Sequence, residues 1–232
     1  MRLPSLITAA AAAAALVGAP AFANDAAHPT VVELYQSQGC SSCPPAIANI
    51  NKLANRADIL PLTFAVTYWD QLGWKDTFAR PEFTARQWAL AHAAGRSNVA
   101  TPQTVVNGRT VANGGDAREL IDAIRAADRG TSGPTITKSG NVIRIGPGAA
   151  ADPATIWLVR YDPRPLSVPI RAGENDGRTI IHRNVVRSLS AIGTWTGKPV
   201  SVKAPPPNDA NVRSAILVQR GTAGPIVAAE RL

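Results

Sequence analysis

The chain has 232 residues, 45% hydrophobic and 17% charged, with a net charge of +8 and two cysteines. Its length suits one large or two small domains, and its basic residues are scattered rather than clustered, which argues against a nucleic-acid module. Residues 24–130 carry 10 Lys+Arg against 10 Asp+Glu and residues 131–232 carry 13 against 6, hence zero against +7, with Arg2 supplying the eighth charge. A solvated basic surface accounts for this asymmetry, and peripheral contact with an anionic envelope surface is the alternative.

The chain opens with Arg2, an apolar run from Leu6 to Ala19 and an A-x-A site at Ala21-Phe22-Ala23. This reads as a signal peptide over 1–23, cut after Ala23. The run is shorter than the roughly 20 residues of a membrane span. The mature product is therefore expected in the periplasm or secreted, where disulfides form.

From there to residue 130 strand-like and helix-like segments alternate. "VVELYQ" (31–36) is rich in strand formers. "PPAIANINKLANRA" (44–57) places Ile47, Ile50, Leu53 and Ala57 on one helical stripe, entered through prolines that fit a first turn. "ILPLTFAVTYW" (59–69) is a nearly continuous apolar run, as in a strand buried on both faces. "PEFTARQWALAHAAG" (81–95) reads as a helix, and residues 70–98 as a helical insertion. "PQTVVNGRTVANGG" (102–115) reads as a hairpin turning on Asn107-Gly108. Asp116 and Glu119 are spaced as a capping box for a last helix with Leu120, Ile121 and Ile124 as its buried stripe, ended by Gly130.

After "GTSGP" (130–134) the helical period stops. Short apolar or alternating runs lie between Gly, Pro, Asn and Asp clusters, which predicts an all-β, sandwich-like unit over 131–232. In "GENDGR" (173–178) no nucleophile, base and orienter stand together, and its Asn175-Asp176-Gly177 is most simply a turn; "APPPND" (204–209) reads as a rigid loop.

The chemistry concentrates in "SQGCSSCPPA" (37–46), which holds both cysteines, Cys40 and Cys43. A closed zinc site needs four ligands and there is no second C-x-x-C. Haem attachment needs His directly after the second Cys, where Pro44 stands. Redox chemistry needs a thiolate at a helix N-terminus, where unpaired N–H groups lower its pKa. A pair between a strand and a helix fits that need best.

Strand, C-x-x-C, helix, strand, then Pro102 after a β-branched residue, a hairpin and a helix resemble the thioredoxin fold over residues 30–130. The mature chain resembles more narrowly the bacterial exported proteins of domain of unknown function 1223, through "VELYQSQGCSSCPPA", "YWDQLGWKD", "TPQTVVNG" and "GENDGRTIIHRNVVRSL". The resemblance implies an α/β thioredoxin-like N-terminal domain over 24–130 and a β-rich C-terminal domain over 131–232. It implies that Pro102 is cis and faces the disulfide, and that Thr101 pairs with a bound substrate chain. Cys40, as the thiolate nearer solvent, would attack and Cys43 would resolve. Ser41 and Ser42 depart from the Gly-Pro or Pro-His of better-known relatives, which leaves the direction of electron flow open.

Thioredoxins keep a buried carboxylate on the first of these strands as proton acceptor, one residue nearer the motif than Glu33 stands here. Glu33 is a candidate for that role, with a carboxylate paired to a basic residue as the alternative. Trp69 and Asp70, at the carboxyl end of a strand, are candidates for a substrate-facing rim, with packing as the alternative for the rings. No cofactor beyond the redox-active disulfide is implied and no metal site is assigned. The expected partners are thiol- or disulfide-bearing exported proteins and an unidentified redox partner. The rival readings are a binding or structural protein with a static disulfide, and a thiolate Cu(I) carrier drawing on His28, His92 or His182.

Overall fold

The computed structural model describes residues 25–232, so the expected signal peptide lies outside the described residues. Strands β1 (Thr30–Gln36) and β2 (Ile59–Ala65) are buried along their whole length and pair in parallel from Thr30 with Ile59 to Gln36 with Ala65. Sequences apolar on both faces belong in such a position, because helices cover parallel strands from both sides. The strand expected over 59–69 stops at Ala65 and the chain then turns. Helix α1 (Pro44–Leu53) connects the two strands and buries Ala46, Ile47, Ile50 and Leu53, ending before Ala57.

Helix α2 (Pro81–Ala93) occupies the middle of the expected insertion. Strand β3 (Gln103–Val106) pairs antiparallel with β1, and β4 (Thr110–Ala112) pairs with β3. Val106 pairs with Thr110, so the turn has three residues rather than two. Asn107 and Gly108 are both left-handed within it, at φ 46° and 65°, which this dipeptide tolerates best. Asp116 caps α3 (Ala117–Ala126) by accepting from the Arg118 and Glu119 N–H groups at 2.7 and 3.1 Å. Glu119 reaches back to the N–H of Asn113 instead of Asp116, so half of the expected capping box forms. The helix ends at Ala126, before Gly130.

The second half holds no helix among the described residues. Its strands are β5 (Ile136–Ser139), β6 (Val142–Ile145), β7 (Ala154–Asp162), β8 (Leu166–Pro169), β9 (Thr179–His182), β10 (Val185–Trp195), β11 (Val200–Lys203), β12 (Arg213–Arg220) and β13 (Ile226–Arg231). Four of them join the first half in one eight-stranded sheet, ordered β13-β12-β7-β10-β2-β1-β3-β4. The junction is Val185 of β10 beside Thr63 of β2. The fold of the described residues is thus mixed α/β, with a large, mostly β sheet and three helices. The sequence boundary at 130–134 does not divide that sheet.

A small sheet, β11-β6-β5, packs Ile143, Ile145 and Val202 against Ile156, Leu158, Trp195 and Ile216. This is sandwich-like layering, but its larger layer continues into the N-terminal strands. On the opposite face the sheet curls, so that the Ile226 N–H of β13 donates to the Asn107 carbonyl at 2.9 Å. Phe83 and Leu90 of α2 pack inside the curl with Tyr35, Leu62, Phe64, Tyr161 and Leu217. The ribbon β8-β9 stands beside α1, its Ile170 and Ile180 sharing a core with Ile47, Ile50, Cys40 and Cys43.

Candidate functional site

The site begins where β1 ends. Ser37, Gln38 and Gly39 turn the chain, and the Cys40 N–H donates to the Ser37 carbonyl at 3.1 Å. Cys43 then caps α1, with prolines at the first two helical positions. Cys40 and Cys43 form a disulfide with Cα atoms 5.4 Å apart. Pro44 and Pro45 remove two of the N–H groups that a helix start otherwise points at a nearby anion. The Cys43 N–H is engaged by the Cys40 carbonyl at 3.2 Å.

The Thr101–Pro102 peptide bond is cis, and the Thr101 carbonyl lies 3.7 Å from Cys40 Sγ. The Ser42 hydroxyl donates to the same carbonyl at 3.4 Å. Cys40, Cys43, Thr101 and Pro102 are thereby brought to one place. Contrary to expectation, Cys40 is not nearer solvent than Cys43: both side chains are fully buried, while Ser41 and Ser42 are exposed.

Glu33 does not join them. Val32 and Leu34 face the core that contains the cysteines, whereas Val31 and Tyr35 face the core inside the curl. Successive residues of a strand alternate between faces, so Glu33 turns away from Cys43, and Leu34 occupies the face where a proton acceptor would stand. Glu33 instead takes a bidentate pair from Arg86, with Nε and Nη2 at 2.9 and 2.8 Å, and a 2.6 Å hydrogen bond from the Tyr35 hydroxyl. Its role as a proton acceptor is corrected accordingly.

Trp69 and Trp74 both pack on the cysteine core. Asp70 accepts from the Asp76 N–H at 3.0 Å, so it shapes the loop after β2. Asp76 is the buried carboxylate of this region: it accepts from the N–H groups of Gln38 and Phe78 at 2.7 and 2.8 Å. Burial pushes its pKa up to about 6 against the pull of those N–H donors. Gln38 is held on both sides, receiving the Trp74 indole N–H at 2.9 Å. Sequence inspection offers little to single out Asp76, an acid in an exposed-looking loop.

The larger omission is the loop between β8 and β9. Glu174 Oε2 accepts both the N–H and the hydroxyl of Ser41, at 3.0 and 2.7 Å. Asn175, fully buried, donates through Nδ2 to the carbonyls of Gln38 and Cys40 at 2.9 and 2.8 Å. Asn175-Asp176-Gly177 turns as expected, and the loop it belongs to is hydrogen-bonded to the C-x-x-C motif. The signal available was the unusual density of polar residues in "GENDGR", without any indication of where it docks.

The histidines lie outside this cluster of contacts. His92 lies tilted against Trp88, with ring centroids 5.4 Å apart, and His182 stands edge-on to Phe78 at 5.6 Å. Among the described residues no group of three or more His, Cys, Asp and Glu side chains is gathered for a metal ion. His182 is buried, with no hydrogen-bond partner for either ring nitrogen among the described residues, and burial lowers its pKa to about 4. The unfolded ring takes up a proton near pH 6.5 and the folded one only near 4, so its contribution to stability is complete above pH 6.5 and falls as the pH drops toward 4. Acidification from about pH 7 to about pH 4.5 is expected to cost the wild type on the order of 2–3 kcal/mol more than His182→Leu. Thermal denaturation of both proteins at the two pH values checks this.

The curated proteins contain no match to the chain. Two solved structures resemble it. A protein of Agrobacterium tumefaciens determined by X-ray crystallography is 32% identical, with a TM-score of 0.73, over 88% of this chain and 93% of that one. HBP35 of Porphyromonas gingivalis has a TM-score of 0.60 at 12% identity, over 88% of this chain and 74% of its own, a likeness of fold alone. A family model described as protein of unknown function (DUF1223) matches residues 31–219. With most of its length matched, including the C-x-x-C motif and the loop bonded to it, the chain belongs to the DUF1223 family.

Proposed function

We propose that the protein is an exported thiol–disulfide oxidoreductase whose working pair is Cys40 and Cys43. The observation that carries this reading is the Cys40–Cys43 disulfide at the start of α1, with the carbonyl before cis Pro102 beside Cys40 Sγ. The succession of β1, α1, β2, the β3–β4 hairpin and α3 supports reading residues 30–130 as a thioredoxin-like unit.

In the reducing direction, the Cys40 thiolate attacks one sulfur of a substrate disulfide and the other sulfur leaves as a thiolate. Cys43, deprotonated, then attacks Cys40 Sγ, closing the Cys40–Cys43 disulfide and releasing the second substrate sulfur as a thiolate. Two electrons pass from the dithiol to the substrate, and the reverse sequence donates the disulfide. The Thr101 carbonyl is placed to hold a substrate backbone N–H alongside. Thiol- or disulfide-bearing exported proteins and a redox partner that resets the pair are the partners this chemistry requires.

Full burial of both sulfurs favours a second reading, a static disulfide that locks the turn between β1 and α1. Equilibration in graded thiol buffers, with reduced cysteines counted by alkylation and mass, separates the two. A potential between about −120 and −270 mV supports exchange, and a value below about −300 mV overturns it in favour of the lock.

A further inference from the structure

We propose that Glu174 is a positioning residue for this redox pair: its carboxylate occupies the Ser41 N–H and places negative charge beside Cys40, holding the pair toward its disulfide form. The inference rests on the thiol–disulfide reading for its biological meaning.

The connection is built rather than incidental. The loop that carries Glu174 is closed at its neck by Ile170 N–H to Arg178 carbonyl and Gly177 N–H to Ile170 carbonyl, at 2.8 and 3.1 Å. Arg178 Nη1 donates to Asn175 Oδ1 at 3.1 Å, which orients the Asn175 amide toward the Gln38 and Cys40 carbonyls. Beside it, Gly173 (φ 75°) meets the loop after β2 at Gly73 (φ 99°); a Cβ on Gly173 would lie 3.2 Å from Trp74 Cβ. Only a small residue tolerates both that approach and that backbone. Glu174 is thus presented to Ser41 by a rigid support.

The consequence follows from what reduction creates. A reduced C-x-x-C pair is favoured when N–H groups and positive charge stabilise the nascent thiolate. Here two of the helix's leading residues are prolines, the Cys43 N–H is engaged by Cys40, and the Ser41 N–H is engaged by a carboxylate. Those two hydrogen bonds also hold the Glu174 pKa below the usual carboxylate range, so it is charged at neutral pH. A neighbouring anion opposes a thiolate on Cys40 and so favours the oxidised form.

The probe is the glutathione couple. The Cys40–Cys43 disulfide takes two electrons and two protons from two glutathione thiols, which leave as glutathione disulfide, and the reduced fraction gives the equilibrium constant. Glu174→Gln keeps the shape and an acceptor but removes the charge; Glu174→Asp keeps the charge. Glu174→Gln is expected to move the constant roughly threefold to tenfold toward the dithiol, tenfold being about 30 mV, with Glu174→Asp within about twofold of wild type. A Glu174→Gln constant within about twofold of wild type overturns the proposal, as does an equal shift in both variants, which would assign the effect to geometry. The ratio is read whether or not the wild type acts on a protein disulfide. Loss of the exchange reading therefore appears in the absolute potential, and loss of this inference in the variant ratio.

Discussion

Cys43→Ala is expected to leave Cys40 covalently joined to exported proteins as mixed disulfides that survive non-reducing electrophoresis and vanish on addition of reductant. Cys40→Ala and the double variant are expected to yield none. The asymmetry follows from position. Cys40 lies by the Thr101 carbonyl, 3.7 Å away, where a substrate strand would align, while Cys43 caps α1. Without Cys43 the second step has no nucleophile, so the intermediate accumulates. Turnover of a small disulfide substrate should fall by at least about 100-fold in either variant, since the remaining thiol carries out only half the exchange. Because both cysteines are fully buried, trapping also requires the site to open. Equal absence of adducts from Cys43→Ala and Cys40→Ala would leave the lock between β1 and α1 as the pair's role.

Much of this site was legible in the sequence, and the reason is local. The C-x-x-C pair, the proline-entered helix, Thr101-Pro102 and the Asn107-Gly108 turn are each specified by residues within a few positions of one another. What was not legible depends on pairing over distance. Glu174 and Ser41 are separated by 133 residues, and no local pattern in "GENDGR" names its target. Glu33 illustrates a different failure. "VVELYQ" is apolar on both faces, so alternation alone does not say which face the acid takes. That choice is fixed by Arg86, an α2 residue inside the curl. The continuity of the sheet was hidden for the same reason: the bridge from β10 to β2 rests on Val185 and Thr63, two unremarkable strand residues whose partnership only the assembled fold reveals.

Arg86→Ala is expected to destabilise the protein by roughly 3–5 kcal/mol, the range for breaking a buried ion pair and leaving one charge alone. The guanidinium is buried at the meeting point of three elements. It pairs with Glu33 on β1, donates from Nη2 to Gln219 Oε1 on β12 at 3.1 Å, and lies 5.4 Å from the Trp157 ring centroid on β7. Burial works against its charge, but Glu33 and Tyr35 together outweigh that and raise its pKa. Arg86 thus fastens the strand leading to Cys40 to strands of the chain's second half. Paired replacement, Glu33→Leu with Arg86→Met, removes both charges and is expected to recover most of the loss, because apolar groups of similar volume replace a buried pair at little cost. Thermal and urea denaturation of the wild type and the two variants measure this, with redox potential as the second readout. If Glu33 served the cysteines as a proton acceptor, the paired variant would regain stability yet still lose exchange activity at neutral pH. Its position on the opposite face of β1 predicts instead that stability and exchange return together.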